Sequence, residues 1–446
     1  MGEALLKPAD ESAYHFLPEA LRMQGISPTL QECIDFSWPD VVELKEKLLA
    51  AGPNSQPVTI ALGTGGTFLS LETATGRSPN ISLQVAVQQI YEDSVSNLNA
   101  PSGLECIDLF YKATGDNLGI DSTDFKHDYR VYLASVLDYF MSDKRVLDQV
   151  HGFIIVKGTD TVKYTGPQLS YMMGQGLPKN VMIVTAQNPI GVERSDAPIK
   201  FKRAIEAIDG FVEAGIAEIA VIGGDRVIPA THALKSSSRD FNTFKPHGGF
   251  SDEPQQANLS TFGRDGLLNE IAEHAIRVDK RKTFRPMTRV PYTGGRRTIE
   301  LANMTAGETR DLLKGSAITL LELQGSGAGA TDMSEVAAEF ARNGKLMSLI
   351  VETADQVNKA GAYEAGNVLS GIPFPKMHPF AIEEKMRFLI ARLGIELAAD
   401  PTYGLVCPNK KQLERFNRAM KMNLVGEMPR DVPLAKLGKI DTLISS

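Results

Sequence analysis

The chain has few cysteines, no long apolar run and no excess of positive charge. Its three cysteines, Cys33, Cys106 and Cys407, are spread over 446 residues without a CxxC pair, which indicates neither a disulfide framework nor a zinc cluster. No stretch approaches the roughly 20 apolar residues of a transmembrane helix. The opening residues, MGEALLKPADES, place acids where a signal peptide has basic and then apolar residues. We therefore expect a cytoplasmic protein without a membrane partner.

Charge and composition narrow the class of partner. The chain has 47 basic and 54 acidic residues, a formal net charge of −7, and 43% hydrophobic residues. The length and the apolar fraction are sufficient for two domains with buried cores. A net negative charge disfavours a general nucleic-acid binder. The basic stretch from Lys280 to Arg297 is either a solvated connection or an electrostatic footprint for RNA or another anion.

Short β-branched runs alternate with amphipathic stretches through most of the sequence, which is typical of a doubly wound α/β protein with buried parallel strands. The runs are VTIAL (58–62), GFIIV (152–156), VMIVTA (181–186), IAEIAVI (216–222), SAITLLEL (316–323) and LMSLIVE (346–352). Helices are predicted between them at 128–141, 199–214 and 333–343.

The alternation is interrupted once, and the interruption suggests a division into domains. We predict an N-terminal extension over 1–56, a larger catalytic α/β domain over 57–265, a linker over 266–314 and a smaller α/β domain with a tail over 315–446. No internal repeat and no low-complexity tract is found in the sequence.

The first predicted strand runs directly into GTGGT, residues 63–67. The turn after the first strand of a doubly wound sheet lies at the carboxyl edge, where ligands bind. A phosphate loop needs a Gly-Lys-Ser/Thr ending and a dinucleotide fingerprint needs glycine at Phe68, so both are weak interpretations. Two others remain open. The glycines either serve a tight turn only, or they surround a nucleophilic hydroxyl of Thr64 or Thr67.

A second polar turn follows the run GFIIV, where the chain continues as KGTDT (157–161). If the two strands are parallel neighbours, both hydroxyl-rich turns face one crevice. The structural alternative is that Asp160 and Thr161 cap a helix that begins near Tyr164.

Together the two turns resemble the TGGT and HGTDT signatures of the bacterial-type L-asparaginase/glutaminase family. Three further segments resemble the family in the same order: IDSTDF (120–125), ERSDAP (193–198) and ALKSSSRDFNTF (233–244). The resemblance covers approximately residues 57–395. It implies a two-domain fold, with a larger doubly wound N-terminal domain on a parallel sheet and a smaller α/β C-terminal domain.

The resemblance also implies an amidohydrolase that releases ammonia from L-asparagine or a related small amide. Thr67 would be the nucleophile, and Thr159, Asp160 and Lys235 would form the relay that activates it. This chemistry is coherent, because a threonine hydroxyl is a poor nucleophile until a base activates it.

Substrate binding is carried over in the same way. Ser122, with Thr123 beside it, would bind the carboxylate of the substrate together with Gly66 and Asp160. Backbone N–H groups around Gly66 and Thr159 would stabilise the oxyanion. The resemblance implies a homo-oligomer, a dimer or a tetramer. We expect no cofactor and no metal, since the spacing of His127 and His151 fits no metal site.

Three positions depart from the family pattern. The family places a lid tyrosine about ten residues after the nucleophile, where this chain has Arg77. Lys157 replaces the histidine of the second signature. Ala328 stands in GSGAG where members that share sites across a dimer often have asparagine. The mode of substrate recognition is therefore expected to differ from that of the family.

Two alternatives to a free-standing amidohydrolase remain. One is the asparaginase-like glutaminase subunit of archaeal glutamyl-tRNA amidotransferase, which this chain also resembles and which works without the tyrosine. The 56 residues before the first strand are short for the extra N-terminal domain of that family. Only this alternative predicts a nucleic-acid partner. The other is a non-catalytic binding protein on the same fold.

Overall fold

In the computed structural model of the chain, the described residues are 28–52, 55–73, 76–79, 81–92, 103–110, 119–174, 177–246, 276–277, 296–300, 306–316, 318–323, 331–351, 368–375, 377–428 and 435. Their strands, in chain order, are β1 (Val58–Gly63), β2 (Ser70–Thr73), β3 (Gly76–Pro79), β4 (Leu104–Asp108), β5 (Val150–Val156), β6 (Val181–Val184), β7 (Ile216–Ala217), β8 (Ile219–Ile222), β9 (Val227–Pro229), β10 (Ala233–Lys235), β11 (Phe244–Pro246), β12 (Ile276–Arg277), β13 (Arg296–Glu300), β14 (Ile318–Leu323), β15 (Leu346–Val351), β16 (Ala398–Asp400) and β17 (Gly404–Val406).

The α-helices lie before, between and after these strands. They are α1 (Pro28–Ala51), α2 (Leu83–Glu92), α3 (His127–Met141), α4 (Lys144–Leu147), α5 (Val162–Met173), α6 (Ala197–Glu213), α7 (Ala306–Lys314), α8 (Thr331–Arg342), α9 (Pro379–Arg392) and α10 (Lys410–Met420). The helices predicted at 128–141, 199–214 and 333–343 are confirmed to within two residues as α3, α6 and α8. None of the helices in the described ranges is both long and apolar enough to cross a membrane.

The larger domain is built on a six-stranded sheet in the order β4-β1-β5-β6-β8-β9. All neighbouring pairs are parallel except β8–β9, which is antiparallel. The predicted parallel sheet is therefore confirmed. Strands β1 and β5 are direct neighbours in register, with Gly63 opposite Val156. The turns that follow these two strands consequently leave the sheet side by side.

Both faces of this sheet are covered, as the continuous apolar runs predicted. Alternate residues of β5 divide between two cores, with Phe153 and Ile155 on one side and Ile154 and Val156 on the other. Helices α1, α3 and α5 cover the first face, and α2 and α6 cover the second. Trp38 of α1 packs against Tyr139 of α3 with ring centroids 4.7 Å apart, so the N-terminal helix contributes to the first core.

The run IAEIAVI, predicted as one strand, is divided at Glu218. Its first part, β7, pairs with β12, and its second part, β8, joins the main sheet. The backbone N–H of Glu218 donates to the side chain of Asn180, whereas its carbonyl accepts the N–H of Val181 in β6. The prediction of a single strand was wrong because the two parts of the run pair with different strands.

The C-terminal part contains a parallel three-stranded sheet in the order β13-β14-β15. Helices α7 and α8 contribute to one apolar cluster beside it, and α9 and α10 contribute to another. The strand β13 and the helix α7 lie within the range 266–314 that the sequence predicted as a linker. The domain boundaries themselves stay a prediction.

Helices α5 and α9 join the larger sheet to the C-terminal part. Tyr171 stacks on Phe388 with ring centroids 5.5 Å apart, and Tyr164 meets Phe380 edge-on at 4.8 Å. Because α5 begins directly after the turn that follows β5, this junction adjoins the segment that carries the second signature.

Candidate active site

The turn after β1 contains two positions that require glycine. Gly65 and Gly66 have φ angles of +106° and +78°, which strain any other residue. The turn is fixed to a neighbouring segment because the N–H of Gly66 donates to the carbonyl of Ile120 at 3.2 Å. Thr67 then begins a short 3₁₀ helix that ends at Leu69. The turn presents Thr67 half-buried and Phe68 fully buried.

The backbone of the turn after β5 is in direct contact with the backbone of this first turn. A Cβ atom on Gly66 would lie 2.3 Å from both Cα and N of Gly158, a distance that real Cβ atoms do not reach. The two glycines therefore allow the two turns to touch, with Thr67 following one of them and Thr159 following the other. The glycines of GTGGT and KGTDT therefore allow the two turns to pack against each other, in addition to bending the chain.

Lys235 reaches the second turn from a remote part of the chain. It is the last residue of β10, which forms an antiparallel hairpin with β11. Its Nζ donates to Thr159 Oγ1 at 2.8 Å and to Asp160 Oδ1 at 2.7 Å. The Lys235 side chain is 20% exposed and that of Asp160 is 51% exposed. A lysine, a hydroxyl and a carboxylate thus meet at the carboxyl edge of the sheet.

The helix-capping alternative for Asp160 and Thr161 does not match this arrangement. Helix α5 begins at Val162 with Thr161 as its N-cap residue, and the Thr161 side chain makes no capping hydrogen bond. The Asp160 carboxylate accepts from Lys235 instead.

Ser122 packs against the second turn from the segment before α3. A Cβ atom on Gly158 would lie 2.4 Å from the Cβ of Ser122, so glycine is needed here for close approach. Ser122 Oγ accepts the backbone N–H of Asp160 at 3.0 Å and that of Thr161 at 3.2 Å. The neighbouring Thr123 is exposed, and its hydroxyl donates to Asp121 Oδ1 at 2.7 Å. Of the two predicted carboxylate-binding residues, Ser122 is in direct contact with the relay.

Lys157 lies beneath the same turn, where the family signature has histidine. It is fully buried, and its Nζ donates to Thr161 Oγ1 at 2.5 Å and lies 4.1 Å from the ring centroid of Phe125. Burial lowers the pKa of Lys157 well below its ordinary value, and the nearby Arg130 lowers it further. The negative charge of Asp160 acts in the opposite direction and raises the pKa of Lys157.

The sequence interpretation missed a buried ion pair behind the lysine hairpin. Lys200 Nζ is 2.7 Å from Asp196 Oδ2, and both side chains are almost fully buried. Asp196 also accepts the backbone N–H of Gln187, whose side-chain amide donates to Thr243 Oγ1 at 2.9 Å. Thr243 closes the hairpin loop, because its carbonyl accepts from the N–H of Ser236 at 2.8 Å. The Asp196–Lys200 spacing at the start of a helix was the signal that could have indicated this pair.

Other positions noted in the sequence lie away from this site or outside the described residues. Arg77 lies in β3, opposite Glu72 of β2 in a hairpin that follows the first turn. Ala328 lies outside the described residues, as does most of the basic stretch 280–297. His151 Nε2 is 3.1 Å from Asp209 Oδ1. Among the described residues, no group of three or more His, Cys, Asp or Glu side chains is arranged to hold a metal ion.

Comparison with known proteins first defines the fold. The L-asparaginase of Thermococcus kodakarensis superimposes with a TM-score of 0.58 at 20% identity, covering 83% of this chain and 98% of that one. L-asparaginase I of Vibrio cholerae superimposes with a TM-score of 0.57 at 17% identity, covering 83% and 99%. The chain therefore has the two-domain α/β fold of these proteins, and the predicted fold class is confirmed.

Sequence comparison then shows which known proteins the chain resembles. Residues 59–251 match the family model described as asparaginase, N-terminal. The L-asparaginase of T. kodakarensis is 28% identical over 187 residues, which are 42% of this chain and 50% of that protein. A 60 kDa lysophospholipase of Homo sapiens is 29% identical over 166 residues, 37% of this chain and 24% of that protein. Over residues 59–251 the chain is therefore similar to the N-terminal part of the asparaginase family.

These alignments are partial. The chain spans about half the length, or less, of the curated relatives that it matches.

Proposed function

We propose that the protein is an amidohydrolase that releases ammonia from L-asparagine or a related small amide. One observation carries the proposal: Lys235 contacts both Thr159 and Asp160 at the edge where the turn bearing Thr67 meets the turn bearing Thr159. The match of residues 59–251 to the asparaginase N-terminal family model supports the same class of reaction. The relatives named L-asparaginase make asparagine the first substrate to test.

In the proposed reaction, Thr67 Oγ attacks the side-chain amide carbon of the substrate. The proton of Thr67 passes by way of Thr159 toward Lys235, while the backbone N–H of Thr159 stabilises the oxyanion. The N–H of Gly66, predicted as a second oxyanion donor, already donates to the carbonyl of Ile120, so Gly66 takes part through its close contact with Gly158 instead. The tetrahedral intermediate collapses, the C–N bond breaks, and the leaving nitrogen departs as ammonia after taking up the proton that Lys235 received from Thr67. Water then attacks the acyl-enzyme ester, so that Thr67 regains its hydroxyl and the acid is released.

Asp160 has two roles in this proposal. Its Oδ1 accepts from Lys235 and orients the lysine toward Thr159. Its carboxylate is about half exposed, so it is also accessible to the ammonium group of an amino-acid substrate, while Ser122 and Thr123 lie on the side where the substrate carboxylate is proposed to bind.

The test is ammonia release by the purified chain, with no tRNA present, from asparagine, glutamine, D-asparagine and simple amides. We expect turnover of at least one small amide, and trapping of the acyl-enzyme by hydroxylamine as a hydroxamate. Thr67→Ala should remain folded and lose several orders of magnitude in rate. A Thr67→Ala variant that keeps more than about a tenth of the wild-type kcat would place the nucleophile elsewhere.

The same assay separates the alternatives. Ammonia release only in the presence of a tRNA-dependent partner would favour the amidotransferase subunit, which the absence of the lid tyrosine at Arg77 also allows. Neither hydroxamate nor ammonia under any condition would favour a binding protein. The homo-oligomeric state stays a prediction, and light scattering on the purified chain would measure it.

A further inference from the structure

Lys157, the buried lysine of the second signature, has no part in the proposed reaction. It nevertheless lies beneath the turn that carries Thr159 and Asp160, which both take part in it. An amine removed from water is costly unless its contacts compensate for the lost hydration. The contacts of Lys157 are the hydroxyl of Thr161, the ring of Phe125 and, through charge, Arg130, Asp160 and Asp121. Lys157 can therefore act on the site through the hydroxyl of Thr161.

The hydrogen bonds around Thr161 have one consistent direction. Lys157 keeps N–H donors in both its charged and its neutral form, so it can donate to Thr161 Oγ1 in either state. The hydroxyl of Thr161 has a single proton, and this proton is directed to the carbonyl of Ser122 at 2.9 Å. Lys157 therefore occupies one lone pair of Thr161 Oγ1 that would otherwise attract another donor.

The other donor at hand is Ser122 itself. Ser122 Oγ already accepts two backbone N–H groups, from Asp160 and Thr161, so both of its lone pairs are in use. Its own proton has an internal acceptor in Thr161 Oγ1, but the distance of 3.3 Å is long for a bond between hydroxyls. With Lys157 on one of the two lone pairs of Thr161 Oγ1, the internal bond from Ser122 stays long and weak, so the proton of Ser122 can turn to a stronger acceptor on a ligand.

We propose that Lys157 is a positioning residue that fixes the direction of this hydroxyl chain, so that Ser122 donates its proton to the carboxylate of the bound substrate. The inference rests on the proposed function, because it requires an anionic group of the substrate at Ser122. Arg130 of α3, Asp160 of the same turn and Asp121 before α3 are the charged groups that face Lys157.

The test is the variant Lys157→Met, which keeps an unbranched stem and removes every donor. Thr161 Oγ1 would then attract the proton of Ser122, and the substrate carboxylate would lose a donor. We expect the Kd of L-aspartate, measured by calorimetry, to rise about 10- to 100-fold. KM for the amide should rise by a similar factor, with a much smaller change in kcat. Lys163→Met on α5 is the matched control, since Lys163 lies over Phe380 and outside this chain of hydrogen bonds.

Two further variants distinguish proton direction from simple packing. Lys157→His restores an N–H donor and should recover most of the affinity. The double variant Lys157→Met/Thr161→Val removes the internal acceptor together with the donor, and it should bind L-aspartate more tightly than Lys157→Met alone. The double variant replaces a polar pair by an apolar pair, which a buried site tolerates better than a single unpaired group. If Lys157→Met does not fold, the Kd of L-aspartate for the double variant alone provides the test. A 100-fold loss of affinity in it would overturn the proposal.

The remaining outcomes separate this inference from the proposed function. If the wild type hydrolyses an amide and Lys157→Met has an unchanged Kd and KM, the role of Lys157 is wrong and the function stands. If kcat falls while KM and Kd stay constant, Lys157 acts on the relay and the proposal is likewise overturned. If the wild type neither binds L-aspartate nor releases ammonia, the proposed function and this inference fail together.

Discussion

Replacing Lys235 by methionine tests whether the lysine is a catalytic base or a solvated loop residue. Methionine keeps most of the aliphatic stem but cannot take a proton from Thr159 or pair with Asp160. In the proposed mechanism the loss of this base should reduce the rate about 10²- to 10⁴-fold. That factor corresponds to about 3–5 kcal/mol of transition-state stabilisation.

The same change should hardly affect folding. The Lys235–Asp160 pair is 2.7 Å long, but the two side chains are 20% and 51% exposed, so water screens their attraction. Exposed pairs of this kind contribute about 0–1 kcal/mol to stability. The expected loss of transition-state stabilisation therefore exceeds the expected loss of folding free energy several-fold, and the two measurements separate catalysis from structure.

The assay is ammonia release under saturating and limiting amide, beside thermal unfolding followed by circular dichroism. Lys245→Met is the matched control, because Lys245 is an exposed lysine of the same hairpin, paired in register with Leu234. We expect the control to behave as the wild type does. A folded Lys235→Met protein with kcat/KM within about tenfold of wild type would refute the relay.

Three further predictions follow from the contacts described above. Gly66→Ala should reduce the rate about 100-fold by separating the two turns, because its Cβ would lie 2.3 Å from Gly158, whereas Gly210→Ala, with open space around it, should not; steady-state kinetics compare them. Lys385→Met should lower the free energy of unfolding by about 3 kcal/mol in urea titrations, because it leaves the fully buried Glu427 without its ion pair; an equal loss in the exposed Lys421→Met would contradict this. Burial lowers the pKa of Lys157, so at alkaline pH the unfolded chain binds more protons there, and wild-type stability relative to Lys157→Met should rise with pH until the lysine of the unfolded chain also loses its proton; a flat difference would count against a depressed pKa.

Much of the larger domain could be predicted from local pattern. The apolar runs that became β1, β5 and β6 are buried on both faces, and such runs identify parallel strands without knowledge of the rest of the chain. The division of 216–222 into β7 and β8 could not be predicted in this way. It depends on the pairing of β7 with β12 and on the hydrogen bond from Glu218 to Asn180, and no local pattern connects the run with either partner.

Part of the candidate site could likewise be predicted from local pattern, and part of it could not. Thr67, Thr159 and Asp160 follow strands, so the rule for carboxyl edges places them together. Lys235 was placed by resemblance, and its contact with Thr159 depends on a hairpin that Thr243 and Gln187 hold in position. The direction of the hydrogen bonds from Lys157 to Thr161 and Ser122 is a property of three-dimensional geometry, so the sequence showed only an unusual lysine.

The close contact between Gly66 and Gly158 also has a kinetic consequence. The two residues belong to turns separated by a long stretch of chain, and both turns are held to the segment that carries Ile120 and Ser122. No helix or hairpin formed early from local contacts can bring these three segments together, since long loops must close first. On dilution from denaturant, enzymatic activity should therefore return later than helical circular dichroism. The regain of turnover would report the moment at which the parallel strands β1 and β5 pair.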